Sequence, residues 1–424
     1  MDPSTTVNNQ GPEASTPGQW NSTLKARVQR ARRGETRKSL FLVAPVIVFL
    51  LLAFLVPIAK MFEVSIYDST LRDLLPNTAR ALGSSSKQQP DNQVWQSLAR
   101  DLVSAREQGK LGIVAGRLND ERSGLRSVVE RTARRAAATD DLHSAEWFAS
   151  VDPLWRDPGI MPMLARGTRP FTIDNYLSAL DFRRDEQGKI VSQPEDSRIY
   201  RSLFFKTFWV AIAVTTLCGV LGYPIAYLMA TRSKATANRL IVLVLVPFWT
   251  SMLVRVTAWI VMLQSQGVVN DLLVLAGVVN EHNRVMLIYN LTGTLIAMTH
   301  ILLPFFILPL YSVMVAVPPS YMRAAQSLGA GRFSAFWKVY FPITLPGVGA
   351  GALLVLILAI GYYITPALVG GQSGQMISNM IAFNIQTSLN WGLAAALSMV
   401  LLVAVLGLYF VYNRVVGAEN LKLG

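Results

Sequence analysis

Residues 345–369 read LPGVGAGALLVLILAIGYYITPALV and carry no charged side chain. A helix needs about 20 consecutive apolar residues to cross the hydrocarbon core of a bilayer, because its backbone groups must be satisfied within the segment. Five other stretches reach this length, at residues 40–62, 204–231, 240–263, 286–316 and 393–414. The sequence therefore predicts an all-α integral membrane protein with six transmembrane helices.

Charge is distributed unevenly along the 424-residue chain, which is 52% hydrophobic and 15% charged. After residue 201 the only acidic side chains are Asp271, Glu281 and Glu419, so the second half is the predicted membrane half. Most of the net charge of +13 comes from Lys and Arg at the edges of apolar stretches, as the positive-inside rule describes. Nucleic-acid contact needs a clustered basic face instead, and we expect no such partner.

The same basic residues predict the orientation of the chain. An even number of helices puts both termini on one side, and the basic segments between helices fall on that side too, which makes it the predicted cytoplasmic face. The predicted parts are a basic, partly disordered tail at 1–39, a first transmembrane helix at 40–63, a large extracytoplasmic insertion at 64–201, a core with transmembrane helices 2–6 at 202–417, and a tail at 418–424.

The insertion is predicted to be mostly helical. Apolar residues recur three and four apart from Val94 to Ala138, whereas prolines and glycines from Asp152 to Pro170 predict an irregular connection. Two roles remain open for this insertion. It contacts another protein outside the membrane, or it is a solvated decoration without a partner.

The segment at 318–346, between the fourth and fifth helices, is predicted to contain a short cytoplasmic helix. Pro318 and Pro319 end the fourth helix, Ser320 is a plausible N-cap for a helix from Tyr321 to Leu328, and Gly329 is its stop. From its residues alone, this helix is predicted either to bind a partner protein or to lie on anionic lipid.

Other chemistry is poorly represented. No glycine-rich loop has the spacing and the hydroxyl residue that cradle phosphates, so we expect no nucleotide site and no ATP hydrolysis by this chain. The single cysteine, Cys218, lies within an apolar run, where it is expected to pack as a small hydrophobe rather than to act in redox chemistry or bind a metal. We therefore expect no catalytic residues, no metal site and no bound cofactor.

The short cytoplasmic helix carries a family resemblance. The run Arg323-Ala324-Ala325, followed by Gly329 and later by Pro342, resembles the coupling loop of ABC-importer permeases, although the family has Glu where this chain has Arg323. The resemblance implies that this loop docks a separate ATPase subunit dimer, which would bind ATP and Mg. The residues implied in docking are Tyr321, Arg323, Ala324, Ala325, Leu328, Gly329, Ala330 and Pro342.

Further motifs resemble the spermidine/putrescine-type branch of these permeases. They include residues 171–176, 222–227, 247–259, 303–311 and 365–371. The resemblance implies a multi-pass subunit of the bacterial inner membrane that pairs with a second, homologous permease and receives solute from a periplasmic binding protein. The implied cargo is a polyamine or a related small amine-containing solute, and the alternative is an amino acid-like, opine-like or anionic amino compound.

Aromatic and polar residues of the membrane half mark a candidate solute pathway. Aromatic faces attract ammonium groups, although aromatic residues of membrane proteins also serve as packing or interfacial residues. Arg255 is a charge near the middle of a predicted helix, and its alternatives are a structural contact or an anion contact. The pathway candidates are Trp249, Thr250, Arg255, Trp259, Tyr289, Tyr362, Tyr363 and Thr365.

Two other function classes are weaker alternatives. A secondary transporter needs intramembrane acidic residues or histidines for its coupling ions, and His300 is thin support for that class. A membrane-anchored interaction protein built around residues 64–201 leaves the cytoplasmic loop unexplained.

Overall fold

The computed structural model describes residues 17–84, 92–139, 144–185 and 188–416. The chain divides into two units, Met1–Lys60 and Met61–Gly424. In the first unit, the described residues belong to helix α1, Pro17–Ile66, which continues past Lys60. Of the predicted, partly disordered tail at 1–39, residues 1–16 fall outside the described residues, and from Pro17 onward the chain is helical. The apolar part of α1, Phe41–Ile66, is long enough to cross a membrane.

The second unit begins with a helical insert, which we define as residues 70–167. Its elements are α2 (Thr70–Leu74), α3 (Pro76–Ser84), α4 (Asn92–Glu107), α5 (Leu111–Glu121), α6 (Leu125–Ala136), α7 (Ala145–Val151), a 3₁₀ turn (Pro153–Arg156) and α8 (Ile160–Gly167).

The helical insert has a hydrophobic core of its own. Trp95, Phe148 and Trp155 pack with ring centroids 4.8, 5.1 and 6.2 Å apart, and buried leucines of α4, α5, α6 and α8 complete the core. The buried carboxylate of Asp101 on α4 accepts hydrogen bonds from the backbone nitrogen and the hydroxyl of Thr78, each at 2.7 Å. The first of these bonds satisfies an amide at the start of α3 that has no partner within the helix.

The helical structure expected from Val94 to Ala138 consists of three helices, and the connections between them contain Gly109 and Gly124, with positive φ angles of 69° and 93°. One prediction for this region needs correction. The connection expected to be irregular, Asp152 to Pro170, contains the 3₁₀ turn and the eight-residue helix α8. The Asp152 side chain caps the 3₁₀ turn by accepting from the backbone nitrogen of Leu154 at 2.9 Å.

A short neck joins the insert to the rest of the second unit. Tyr67 and Phe171 form an antiparallel β-bridge, and their ring centroids lie 5.4 Å apart. The backbone nitrogens of Asp68 and Thr172 donate across the bridge at 2.8 and 2.9 Å. The chain therefore enters and leaves the insert at adjacent points.

The Asp68 carboxylate ties the neck to the insert. One oxygen lies 2.8 Å from Nε of Arg117 on α5, and the other accepts from the backbone nitrogen of Thr70 at 3.0 Å. Burial by itself raises the pKa of Asp68, but the charge and hydrogen bond of Arg117, together with the hydrogen bonds from Thr70, outweigh this effect, so the pKa lies below its usual range. Glu121, which also pairs with Arg117 at 3.2 Å, has a raised pKa because burial disfavours its charged form.

The chain then reaches the membrane half through a small polar region. Its elements are α9 (Asp174–Ala179), the antiparallel strands β1 (Phe182–Arg184) and β2 (Ile190–Ser192), and a 3₁₀ turn (Glu195–Ser197). The buried carboxylate of Asp181 accepts from the backbone nitrogens of Tyr200 and Arg201 at 3.0 and 2.8 Å. A carboxylate at this position caps the first turn of the following helix and complements its dipole.

The membrane half consists of helices and turns. They are α10 (Tyr200–Thr231), α11 (Lys234–Leu245), a 3₁₀ turn (Val246–Trp249), α12 (Met252–Leu263), α13 (Val268–Leu275), α14 (Leu291–Val315), α15 (Pro319–Ser327), α16 (Arg332–Ala335), a π-helical turn (Phe336–Tyr340), α17 (Phe341–Gly361), α18 (Ile364–Val369), α19 (Ile377–Gln386) and α20 (Trp391–Val416).

Six described segments are long and apolar enough to cross a membrane, which confirms the predicted number. They are Phe41–Ile66, Tyr200–Thr231, Met252–Leu275, Leu291–Val315, Arg332–Gly361 and Trp391–Arg414.

Helices α10, α14 and α17 form the core of the membrane half. They approach closely at glycines: a β-carbon at Gly351 of α17 would lie 2.7 Å from the backbone oxygen of Phe306 on α14. A β-carbon at Gly222 of α10 would lie 3.1 Å from the Phe306 side chain. Small residues allow such close packing of membrane helices, where no water is available to drive association.

Two of the predicted membrane stretches are broken. The third, residues 240–263, is not one helix: α11 ends before Pro247, and α12 begins after Ser251, whose side chain accepts from the Val254 backbone nitrogen. The fifth, residues 345–369, starts earlier, at Phe341, and is interrupted at Tyr362 before α18 begins. Apolar composition alone does not reveal such breaks, because both halves remain hydrophobic.

Candidate functional site

The predicted coupling helix is present as α15, with a different start. Pro319 occupies the first helical position and Pro318 is the N-cap, so the predicted role of Ser320 as N-cap is wrong. Proline fits the first turn because that position needs no amide donor and its φ is already helical. At the other end Gly329 has a φ of +89°, and its backbone nitrogen donates to the Gln326 oxygen at 3.0 Å.

The outer surface of α15 is open. Leu328 is 89% exposed, although it is apolar, and Tyr321 is half exposed. Arg323, Ala324 and Gly329 are exposed, whereas Ala325 and Ala330 are partly covered. Pro342 is exposed in the first turn of α17. The predicted docking residues therefore form an accessible surface on α15 and the turn that follows it, with Pro342 further along the chain.

An aromatic cluster holds the following segment against the membrane core. We define it as Tyr223 and Tyr227 of α10 with Phe336, Trp337, Tyr340 and Phe341. The ring centroids of Phe336 and Tyr227 lie 5.5 Å apart, and those of Tyr340 and Tyr227 lie 5.3 Å apart. Aromatic pairs at such separations add to the stability that burial provides.

A hydrogen bond reinforces this contact. The hydroxyls of Tyr223 on α10 and Thr344 on α17 lie 3.0 Å apart, and Thr344 also donates to the backbone oxygen of Phe341 at 2.9 Å. The π-helical turn Phe336–Tyr340 sits between α16 and α17, and such turns are frequent at functional positions. The segment that follows α15 therefore packs against both α10 and α17.

A second cluster, which we call the Arg255 cluster, contains three of the predicted pathway residues and one further residue. The three are Arg255 and Trp259 of α12 and Tyr362 at the break after α17, and the fourth is His300 of α14. Trp259 Nε1 donates to His300 Nδ1 at 3.1 Å, and the two rings are 5.2 Å apart. The Tyr362 hydroxyl donates to Met252 Sδ at 3.7 Å. Arg255 is close enough to interact electrostatically with both His300 and Tyr362.

The other pathway candidates have separate surroundings. Trp249 is 76% exposed in the 3₁₀ turn after α11, and Thr250 follows it. Tyr289 has a φ of 59°, and its backbone nitrogen donates to the Val369 oxygen at 2.7 Å. These residues are not in the hydrogen-bonded group around Arg255.

Tyr363 and Thr365 lie at the break between α17 and α18. The Tyr363 backbone oxygen accepts from Asn379 Nδ2 of α19 at 2.9 Å, and Ser378 of α19 donates in the same way to the Ile360 oxygen. Thr365 is fully buried. Helix α19 thus satisfies carbonyl groups that the interruption leaves without helical partners.

His300 was missing from the predicted pathway set, although the sequence contained a signal. It is an ionisable residue within a long apolar stretch, and such residues are functional hypotheses by default. Because Nδ1 accepts a hydrogen bond from Trp259, the proton of the imidazole resides on Nε2 and the ring is neutral.

Sequence comparisons place these features in a known group. Residues 222–416 match the family described as "Binding-protein-dependent transport system inner membrane component". The spermidine/putrescine transport system permease protein PotB of Escherichia coli (strain K12) is 31% identical over 253 residues, which cover 60% of this chain and 86% of that protein. The chain belongs to this family of inner-membrane transport components.

Two further relatives agree with this assignment. PotB of Haemophilus influenzae is 32% identical over 258 residues, covering 60% of this chain and 82% of that protein. The inner membrane ABC transporter permease protein YdcU of Escherichia coli (strain K12) is 28% identical over 226 residues, covering 51% of this chain and 72% of that protein. The family match includes α15, the aromatic cluster and the Arg255 cluster, whereas the helical insert lies outside it.

The chain is therefore a multi-pass inner-membrane permease subunit of a binding-protein-dependent transport system. In the described part of the chain, no group of His, Cys, Asp or Glu has an arrangement suited to a metal ion.

Proposed function

We propose that this chain forms half of the translocation pathway of an ATP-driven importer, paired with a second, homologous permease. A separate ATPase dimer binds ATP and Mg beneath the pair, and a periplasmic binding protein delivers the solute from outside. Both termini and α15 face the cytoplasm in this proposal, and the helical insert faces the binding protein. ATP binding at the ATPase then changes which side of the membrane the pathway opens to.

The exposed α15 supports the coupling role. It presents an apolar tip, Leu328, that is 89% exposed, yet the segment after it is fixed to α10 and α17 by the aromatic cluster. An accessible contact surface joined to a packed helical core is what a force-receiving element requires. A helix lying on lipid needs no such connection to the core.

Arg323 gives this surface a charge opposite to the family glutamate. It is exposed on α15. We propose that it meets a carboxylate or a backbone carbonyl of the ATPase, where most family members present a carboxylate of their own.

The proposed cargo is a polyamine or a related small amine-containing solute. Relatives that are 31% and 32% identical bear names of spermidine/putrescine permeases. Trp259 and Tyr362 offer aromatic faces beside the break in α17, and such faces attract ammonium groups. The alternative cargo is an amino acid-like, opine-like or anionic amino compound, which the Arg255 guanidinium favours.

The coupling proposal is tested with Leu328→Glu in the complete transporter. We expect the co-purified ATPase and ATP-driven uptake to fall by about tenfold, because a charge replaces an apolar contact at the interface centre. Ile113→Glu is the matched control, since Ile113 is an exposed apolar residue of the helical insert. It should leave ATPase co-purification unchanged. Wild-type ATPase binding by the Leu328→Glu variant, at equal membrane levels, would contradict the coupling role.

The cargo is tested separately. The reconstituted complex with its binding protein is assayed for ATPase stimulation by putrescine, by spermidine and by anionic amino compounds. Stimulation by the two polyamines is the expected result. Stimulation by the anionic compounds alone would refute the polyamine proposal and would leave the coupling proposal intact.

A further inference from the structure

Arg255 is a partly buried cation, and the described part of the chain provides no counterion for it. It lies in the candidate membrane span Met252–Leu275, and its Nε is buried with no hydrogen-bond acceptor among the described residues. It forms no ion pair within the described part of the chain, whereas Asp271 in the same span is paired with Arg284 at 2.7 Å. An unpaired guanidinium in a membrane span is costly, and such residues nearly always find a partner.

The neighbours of Arg255 do not supply negative charge. His300 is neutral, with its Nδ1 lone pair occupied by Trp259, and the Tyr362 hydroxyl is directed to Met252. Arg255 is also the fourth residue of α12, where the positive end of the helix dipole adds to the unfavourable environment of a cation. The described part of this chain thus provides neither a negative charge for the guanidinium nor an acceptor for its buried Nε.

We propose that Arg255 pairs with an intramembrane carboxylate of the second permease subunit, and that the ammonium groups of the solute compete with Arg255 for that carboxylate. This inference rests on the heterodimer and the cationic cargo proposed above. The partner's acid binds Arg255 when the pathway is empty and binds the solute when it is loaded. One carboxylate of the second permease thus serves both as an acidic group of the pathway and as the counterion of Arg255.

Charge complementarity favours a partner carboxylate over a carboxylate of the solute. A pathway for ammonium groups requires acidic side chains, and the described spans α10, α14 and α17 contain none. Side chains around Arg255 also leave α12 open to a neighbour, since Leu253 is 62% exposed and Val254 is 59% exposed. A subunit that packs on this face can place its carboxylate at the guanidinium.

The proposal also explains why the cation is an arginine held beside a neutral histidine. Arg keeps its charge at all physiological pH values, so the partner carboxylate always has a counterion when no solute is present. A resident cation discourages small inorganic cations from occupying the carboxylate. A solute that carries several ammonium groups competes better than one that carries a single group.

The first experiment measures assembly in the complete transporter, co-expressed with its natural second permease and ATPase. The variants are Arg255→Gln, Arg255→Lys and the matched control Arg239→Gln, which neutralises an exposed arginine on the neighbouring helix α11. We expect Arg255→Gln to lower the co-purified second permease by about tenfold or more, because the partner's carboxylate is left buried and unpaired. Arg255→Lys and Arg239→Gln should retain assembly.

The second experiment identifies the carboxylate by mutual rescue. Each intramembrane Asp or Glu of the second permease is changed to Asn or Gln, alone and together with Arg255→Gln. We expect one such change to impair assembly alone and to restore it in the presence of Arg255→Gln. The rescued double variant should show a loss of at least tenfold in ATPase stimulation by spermidine, because the carboxylate that binds the solute is gone.

Two results would overturn the inference: normal assembly of Arg255→Gln, and the absence of any rescuing carboxylate. If normal assembly is accompanied by the selective loss of stimulation by carboxylate-bearing solutes, the solute itself is the counterion. If polyamines do not stimulate the wild-type complex but the variants show mutual rescue, the proposed cargo is refuted and the ion pair between the subunits is supported. Absence of a second permease from the wild-type complex would refute both.

Discussion

Gly329 determines how α15 ends, and it offers a sharp test of the coupling surface. Its φ is +89°, in the left-handed region, and no atom lies within 4 Å of the position that a β-carbon would take. A side chain at this position therefore meets no steric obstacle from its neighbours. The whole penalty of a substitution arises from the backbone conformation.

Gly331 is the matched control two residues further on. A β-carbon there also meets nothing within 4 Å, but φ is −60° with ψ at 156°, which any residue adopts. Gly329→Ser should cost about 1–2 kcal/mol, the usual penalty for an L-residue in the left-handed region. Gly331→Ser should cost nothing and places a favourable N-cap before α16.

The magnitude is sufficient to disturb function. A penalty of about 1–2 kcal/mol changes the ratio of formed to unformed turn by a factor of about 5–30. A nine-residue helix such as α15 is marginal in isolation and depends on its surroundings. We therefore expect Gly329→Ser to lower the hydrogen-exchange protection of α15 amides and to reduce ATP-driven uptake several-fold.

The assay compares the two serine variants in the assembled transporter at equal membrane levels. Hydrogen exchange reports the order of α15, and uptake into proteoliposomes reports coupling. If the two variants behave alike in both measurements, the left-handed turn at Gly329 does not hold α15 in place. If α15 loosens in Gly329→Ser while uptake remains normal, the helix is not the coupling element.

Three further predictions concern packing and charge. Gly351→Ala should lower the thermal stability of the purified protein by several degrees, because its β-carbon would lie 2.7 Å from a backbone oxygen of α14, whereas Gly407→Ala meets open space and should not. Tyr340→Phe should leave the thermal stability unchanged or raise it, because the buried Tyr340 hydroxyl has no described partner. Tyr223→Phe loses a 3.0 Å hydrogen bond and should lower the free energy of unfolding by about 1 kcal/mol. Asp68→Asn should increase hydrogen exchange at the neck at pH 7, and unchanged exchange would contradict the role of this carboxylate. Because the folded-state pKa of Asp68 is lowered, its contribution to the stability of the neck is present above about pH 4 and is lost as the pH falls through that pKa.

The sequence predicted the number of membrane helices because apolar length is a one-dimensional property. It predicted the position of α15 to within two residues for a similar reason, since Pro319 and Gly329 act on their immediate neighbours. The breaks after α11 and α17 were missed. The break after α17 involves a tertiary partner, Asn379 of α19, whose side chain satisfies the Tyr363 carbonyl. The break after α11 has local signals, Pro247 and the N-cap Ser251, but they lie within an apolar run whose length predicts one helix.

The candidate sites show the same limit. Arg255, Trp259 and Tyr362 were predicted from their residue types, and the structure brings them together. His300 completes the group only because α14 packs against α12, and that arrangement cannot be inferred from spacing along the chain. The family resemblance contributed the functional assignment of α15, which its local composition alone left undecided.

The two clusters belong to two adjoining hydrophobic cores. The aromatic cluster after α15 is part of the hydrophobic core of α10, α14 and α17, and His300 is carried by α14. Arg255 and Trp259 belong to α12, which packs through a smaller core around Val256 and Leu263. Two hydrogen bonds, Trp259 to His300 and Tyr362 to Met252, link α12 to elements of the larger core. Because Tyr362 packs against both cores at the break after α17, we expect any relative movement of the cores to bend the chain at this break rather than within a continuous helix.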